Sequence, residues 1–304
     1  QELHGRGEIY LAEHEGWYSA RAEQFVTEKE RVGGKFPDHF GEVVKISEKN
    51  YFFRMGKYQS WLVELLQKNP HLLQPDSRRN EILGFLGQPL GDLCISRPKS
   101  RLSWGIEMPF DKDYVTYVWF DALINYISVP GYGEKRFADD WPADVHLIGK
   151  EIITPHAIYW LTMLKAIGID LPLAMFAHGW WLFGNTKMSK SLGNVVDPVL
   201  LIEAYGADAV RYFTCRELQL AADSNYTDEL FKQRYDSELA NDLGNLVNRS
   251  ISMLQRYRGG KLPEVGVKGA NDDELQKLAA ETLDFYLENM PLFQYGKVLD
   301  RIAR

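Results

Sequence analysis

Residues 187 to 198 read Lys187-Met188-Ser189-Lys190-Ser191-Leu192-Gly193-Asn194-Val195-Val196-Asp197-Pro198. Two lysines three apart, set among small or flexible side chains and followed by a glycine, make a mobile cationic loop. Ser and Gly let the backbone close on phosphate oxygens, and a Lys ammonium on its long stem can follow charge as it moves. The chemistry to expect is a grip on a polyphosphate, with ATP as the ligand. A bare Lys-x-x-Lys is usually a solvated turn, but the attached Gly-Asn-Val-Val-Asp-Pro makes this string far more specific. The sequence has no Gly-x4-Gly-Lys-Ser/Thr and no Gly-x-Gly-x-x-Gly, so the nucleotide is not held in a Walker or dinucleotide-fingerprint manner.

The flanking pattern says what must carry this loop. Residues 114–120 are aromatic and β-branched and read as a strand running into a helix over 121–127. A second apolar strand covers 145–150; Thr154 and Pro155 then open a helix over 156–166, with Gly168 as its stop. A third strand, 173–178, delivers the chain to Lys187. Strand, helix, strand, helix, strand with short connections is half of a doubly wound parallel sheet, whose ligands sit at the carboxyl ends of the strands. Upstream, residues 9–112 are irregular, with a short strand over 42–46, a helix over 59–67 and frequent Gly and Pro, as in a mixed insertion domain. Residues 1–9 read as the middle of a helix. Beyond Pro198 the pattern is helical over 199–205, 208–217, 227–254 and 272–290, a bundle whose last stretch shows no closing signal. The fold class is therefore α/β: the C-terminal half of a Rossmann-like parallel sheet, preceded by a mixed α+β insertion and followed by an α-helical bundle.

With 304 residues, 45% of them apolar and 13% aromatic, the chain can bury a large core and hold two or more domains. Its formal net charge of -7 gives no support for nucleic-acid binding by bulk attraction. A local basic strip of Arg249, Arg256, Arg258 and Lys261 remains compatible with it. No apolar run reaches the ~18 residues that span a bilayer and no signal-peptide core opens the chain, so the expected location is cytoplasmic, with no membrane partner. Cys94 and Cys215 are far apart and outside any Cys-x-x-Cys, and read as ordinary thiols.

Other landmarks accompany the loop: Glu15-Gly16-Trp17-Tyr18, Tyr51-Phe52-Phe53-Arg54, Asp92-Leu93 with Ile95-Ser96-Arg97, Trp104-Gly105, Tyr117-Val118-Trp119-Phe120-Asp121-Ala122, Gly149-Lys150-Glu151-Ile152, Phe176-Ala177-His178-Gly179-Trp180 and Asn241-Asp242-Leu243-Gly244-Asn245-Leu246. Their order resembles the methionyl-tRNA synthetases, class I aminoacyl-tRNA synthetases of the zinc-free bacterial type, over essentially the whole chain. The Lys187 string is similar to that class's KMSKS loop.

The resemblance implies a domain plan: a connective-peptide insertion over 1–112, the second half of the nucleotide-binding domain over 113–205, a stem-contact region over 206–240 and an incomplete anticodon-binding bundle over 241–304. It implies that Trp119, Ala122, Leu123, Tyr126, Ile152 and His156 wall a methionine side chain. A thioether suits such apolar and aromatic surface, which an imidazole or phenol can orient. It implies that Gly149 and Glu151 meet the adenosine, and that Lys187, Met188, Ser189, Lys190 and Ser191 hold ATP. Lys187, Lys190 and Arg97 then act near the reacting groups, with Mg²⁺ on the phosphates. Asn245 and Arg249, four apart on one helix face, would read the anticodon of tRNA(Met).

Departures from the family pattern are informative too. Where many relatives carry zinc-binding cysteines, this chain has Ser19, Ala22 and Phe36, leaving His39 alone. Structural zinc needs four ligands, so no zinc is expected. None of the seven histidines forms a His-x-Gly-His motif. The resemblance places that motif upstream, on a first half of the nucleotide fold that this chain lacks. The implied activity is methionine-tRNA ligation. Two alternatives stand beside it: a truncated, non-catalytic tRNA-binding module, and a class I synthetase for another apolar amino acid.

Overall fold

The structure, a computed structural model, describes residues 1–304 apart from 20, 22, 23, 27, 190–192 and 219–221. It divides into two compact units, one of Gln1–Leu147 with Glu151–Phe176 and one of Ile148–Lys150 with Ala177–Arg304.

The first unit begins α1 (Glu2–Gly5), β1 (Ile9–Ser19), β2 (Gln24–Val26), β3 (Val43–Phe53), α2 (Gln59–Lys68), β4 (Leu73–Gln74), α3 (Asp76–Phe85) and β5 (Leu93–Cys94). There follow β6 (Ser96–Pro98), β7 (Glu107–Met108), β8 (Asp111–Thr116), α4 (Val118–Ala122), α5 (Asn125–Ser128) and α6 (Phe137–Asp140). Next come β9 (Val145–Gly149), a wide π-type segment (Pro155–Trp160) continuing into α7 (Leu161–Ile167), and β10 (Ala174–His178); residues 148–149 of β9 and 177–178 of β10 belong to the second unit. Strands β1 and β3 pair antiparallel along their whole length, Ile9 opposite Phe53 and Ser19 opposite Val43, in a sheet of order β2-β1-β3-β5. A second antiparallel sheet runs β6-β8-β7, and a third runs β4-β10-β9, with β4 and β10 parallel. From Pro155 to Leu164 only Tyr159 escapes burial, so this helix is buried on nearly every face and belongs to the core with Phe53, Leu62, Leu66 and Ile95. Gly168 ends it in the left-handed conformation, φ +83°, which a residue without Cβ adopts freely.

The second unit contains β11 (Trp181–Phe183), β12 (Thr186–Lys187), α8 (Pro198–Tyr205), α9 (Ala207–Glu217), β13 (Ser224–Tyr226) and α10 (Asp228–Arg234). It ends with a π-type stretch (Tyr235–Gly244), α11 (Asn245–Arg258), α12 (Ala270–Asn289) and α13 (Tyr295–Ile302). Strand β11 pairs antiparallel with β12 and parallel with β13. Below them Ala209, Phe213, Tyr226 and Phe231 form a buried cluster, with Trp181, Met188, Val196 and Leu201 packed against it. Arg216 and Arg234 tie α9, α10 and the π-type stretch together through Glu217 and Glu238, and Arg216 also reaches Asp300 of α13. Among the described residues, no helix is long and apolar enough to cross a membrane.

The α/β class read from the sequence holds, but four elements differ from expectation. The expected helix over 1–9 is only α1, because Gly7 at φ +72° breaks it and Ile9-Tyr10-Leu11 enter β1. The strand expected over 42–46 extends to Phe53, carried by its full-length pairing with β1. The strand expected over 114–120 stops at Thr116, and Trp119 and Phe120 lie in α4. Burial of Phe120, Leu123 and Ile127 at helical spacing outweighs their local strand preference. Strand β8 joins the antiparallel β6-β8-β7 sheet, and the parallel partner of β10 is the two-residue β4. The helix expected over 227–254 is present as α10 and α11 joined by wide π-type turns.

Candidate active site

In the first unit, α4, α5 and the Pro155–Trp160 segment bring Trp119, Tyr126 and His156 together. The Trp119 and His156 rings meet edge-on with centroids 6.1 Å apart, and the Tyr126 hydroxyl is 3.0 Å from His156 Nε2. His156 Nδ1 lies 2.7 Å from the Ile152 carbonyl oxygen. A carbonyl only accepts, so Nδ1 carries the hydrogen and Nε2 of the neutral ring accepts from the Tyr126 hydroxyl. Burial pushes the His156 pKa below its ordinary value, which favours this neutral form, and pushes the Tyr126 phenol up. The result is an aromatic wall with no charge on it. Leu123 is fully buried, Ile152 half-buried and Ala122 exposed.

Beneath Tyr126 lies His146 of β9, with ring centroids 4.1 Å apart and 30° between planes. Its Nε2 accepts from Trp160 Nε1 at 3.1 Å. Arg97 is also largely buried; its Nη1 donates to the Ser96 carbonyl at 2.7 Å, and its guanidinium lies 5.0 Å from the Tyr117 ring centre. Glu151 is exposed in the single turn Lys150–Ile152.

The second unit holds the cationic loop. Lys187 ends β12 and Met188 packs into the Phe213 cluster. The Asn194 side chain spans the neck of the loop: its Oδ1 accepts from the Ser189 N–H at 2.8 Å and its Nδ2 donates to the Lys187 carbonyl at 3.2 Å. Asp197 caps α8 by accepting from the Val199 N–H at 2.9 Å, with Pro198 in the first turn. The Gly-Asn-Val-Val-Asp-Pro tail is thus a neck clamp followed by a helix start. Lys190 and Ser191 lie outside the described residues, as does Ala22.

Trp180 takes the Lys187 ammonium 4.0 Å from its ring centre and the Lys150 ammonium at 4.1 Å. Asp223 Oδ1 accepts from Lys150 Nζ at 2.5 Å and from the Trp180 N–H at 2.8 Å. Two cations therefore share one indole, and one of them, Lys150, is also paired with the Asp223 carboxylate. Gly149, at the end of β9, directly precedes Lys150. Asn245 and Arg249 are both exposed in α11.

The family model described as tRNA synthetases class I (M) matches residues 41–251, more than half of the chain. The chain belongs to this family. It is 45% identical to the methionine--tRNA ligase of Clostridium tetani, over 99% of this chain and 47% of that protein. It is 44% identical to methionine--tRNA ligase 1 of Bacillus anthracis, over 99% of this chain and 48% of that one. It superimposes on Mycobacterium tuberculosis methionyl-tRNA synthetase in complex with methionyl-adenylate with a TM-score of 0.89 and 40% identity, covering 99% of this chain and 60% of the other. The apo form of that protein gives 0.86 and 37%, with the same coverage. This class I chain spans about half the length of the curated relatives it matches.

The sequence reading of this class I chain did not single out His146, Trp160, Lys150 or Asp223 as site residues. Lys150 sits inside the quoted Gly149-Lys150-Glu151-Ile152 segment, which was a usable signal. The partners of His146 and Asp223 are distant in sequence, Asp223 meeting Lys150 across 73 positions, and only the fold brings them together.

Proposed function

We propose that the native protein is a methionine-tRNA ligase. In that reaction a methionine carboxylate oxygen bonds to the α-phosphorus of ATP, the bond from that phosphorus to the β-phosphate oxygen breaks, and pyrophosphate leaves with the electron pair. A tRNA 3′-terminal hydroxyl then attacks the activated carbonyl, losing its proton, and AMP departs. Trp119, Ala122, Leu123, Tyr126, Ile152 and His156 hold the thioether; Gly149 and Glu151 meet the adenosine. Lys187, Met188, Ser189, Lys190 and Ser191 grip the polyphosphate, and Arg97 acts beside the reacting groups. Asn245 and Arg249 meet the anticodon of tRNA(Met), and the protein works in the cytoplasm.

The observation that carries the reading is the uncharged wall of Trp119, Tyr126 and His156. A charged His156 would favour a carboxylate or strong acceptor, whereas the neutral ring with its lone pair committed to Tyr126 leaves dispersion and weak sulfur contacts, which suit a thioether. The likeness to a solved methionyl-adenylate complex supports it. Phosphoryl-type transfer needs positioning and charge neutralisation above all, which lysines on a clamped loop supply. Mg²⁺ is expected on the nucleotide's own phosphate oxygens. Among the described residues no three His, Cys, Asp or Glu cluster as metal ligands.

Methionine-dependent exchange of pyrophosphate into ATP by the native protein tests the reading. Exchange with leucine but not with methionine overturns it.

A further inference from the structure

We propose that His146 is a positioning residue that sets the width of the methionine pocket by holding Tyr126 from below. The proposal rests on the ligase reading above. His146 lies on β9, where alternation turns it and Ile148 inward, and it is only 4% exposed. An imidazole in such a place is more costly to bury than a leucine unless its polar atoms are matched. Its Nε2 is matched by the Trp160 indole N–H, 3.1 Å away, which fixes the neutral tautomer with hydrogen on Nδ1. A leucine would leave that indole N–H without an acceptor and would offer no flat face to Tyr126.

The flat face is the part that bears on the pocket. His146 and Tyr126 overlap with centroids 4.1 Å apart, the shortest ring separation around Tyr126; His156 and Trp160 lie at 5.6 Å and 5.9 Å. The phenol is held at its hydroxyl by His156 and on its face by His146, while Trp160 fixes His146 in turn. Held at two points, Tyr126 has little freedom to tilt toward or away from Trp119, and the gap between them keeps one width. A pocket for an unbranched thioether discriminates weakly on polarity, since sulfur and a methylene differ little, so its selectivity depends on fit. His146 packs on Tyr126 and acts on the pocket through it.

The test uses the native protein in the pyrophosphate exchange assay, with methionine, norleucine and ethionine as substrates and thermal unfolding measured alongside. His146→Gln keeps an acceptor near the Nε2 position and removes the ring. It is expected to raise KM for methionine about 5- to 10-fold, the scale of one lost aromatic pair, with KM for ATP unmoved, and to narrow the preference for methionine over both analogues. His146→Phe returns a ring while leaving Trp160 without its acceptor, and is expected to recover most of the selectivity lost in His146→Gln. If His146→Gln does not fold, His146→Leu takes its place with the same expected shifts. Unchanged selectivity in the ring-less variant overturns the proposal, as does a loss in which KM for ATP and for methionine change together and Phe restores nothing. A native protein without methionine-dependent exchange overturns the ligase reading and this role with it, whereas an active native protein with indifferent variants overturns this role alone.

Discussion

The Lys187 ammonium lies 4.0 Å from the centre of the Trp180 indole. A cation over an indole gains about 0.5–2 kcal/mol, enough to give a long side chain a preferred place without fixing it irreversibly. Trp180 is itself held through its backbone N–H by Asp223, which also takes Lys150. Trp180→Leu removes the face and keeps the backbone bond. The expected outcome is a rise of about 3- to 10-fold in KM for ATP, with KM for methionine unchanged and substantial recovery in Trp180→Tyr. Steady-state pyrophosphate exchange checks it.

The Asn194 amide spans the neck of the loop, bonding with both its oxygen and its nitrogen to the Lys187–Ser189 backbone opposite. Asn194→Ala removes both bonds, each worth about 1 kcal/mol where solvent competes. Trypsin cleavage after Lys187, whose carbonyl loses its partner, should then become faster. ATP should restore less protection than in the parent, as limited proteolysis with and without nucleotide would show.

Tyr126→Phe removes the proton that His156 Nε2 accepts, leaving a buried imidazole nitrogen unmatched. The expected loss is about 1–3 kcal/mol in denaturant unfolding, because an orphaned buried acceptor costs more than the net value of the bond it lost. A change within ~0.3 kcal/mol would contradict the tautomer assigned to His156.

Some of this was legible in the residue order and some was not, for reasons particular to each element. The helix through His156 could be read because Pro155 and Gly168 punctuate an unbroken apolar run, and such signals are local. Strand β10 could be read for the same reason. The two-residue β4 is too short to leave a periodicity, and its pairing with β10 is a tertiary fact. Trp119 looked like a strand residue because Tyr117, Val118 and Phe120 favour strands individually, while burial of Phe120 with Leu123 and Ile127 on one helical face decided otherwise. The lysine string announced a phosphate grip, yet the roles of Asn194 and Asp223 depend on partners that spacing does not reveal.

Acid should weaken the fold through His146. Burial, with His156 nearby, pushes its pKa from 6.5 down to about 4. The unfolded chain therefore takes up the proton first as pH falls. The contribution of the neutral, buried imidazole is present in full above about pH 6.5 and drains away toward pH 4, at about 1.4 kcal/mol per unit. Between pH 7 and pH 5 the loss should reach up to about 2 kcal/mol in denaturant titrations, and His146→Phe should flatten the profile over that interval. An equally steep profile in the Phe variant would place the sensitivity elsewhere.

Gly179→Ala tests the framework beneath the Lys187 seat. A Cβ at Gly179 would lie 2.0 Å from the Ala222 carbonyl oxygen and 2.9 Å from the Asp223 amide nitrogen, both backbone atoms that cannot rotate away. Relief requires the two segments to separate, and Asp223 is the residue that would move. Its carboxylate then loses the Trp180 N–H and Lys150 together, and the indole that receives Lys187 loses its anchor. Overpacking of this kind costs about 1–3 kcal/mol in stability. The more specific expectation is kinetic: a larger rise in KM for ATP than Trp180→Leu produces, since both the ring and its support are displaced. Asp223→Asn keeps an acceptor for the Trp180 N–H while removing the charge opposite Lys150, and should fall between the parent and Gly179→Ala in the same assay. If Asp223→Asn instead exceeds Gly179→Ala, the charge pairing of Lys150 rather than the placement of Trp180 governs the ATP step.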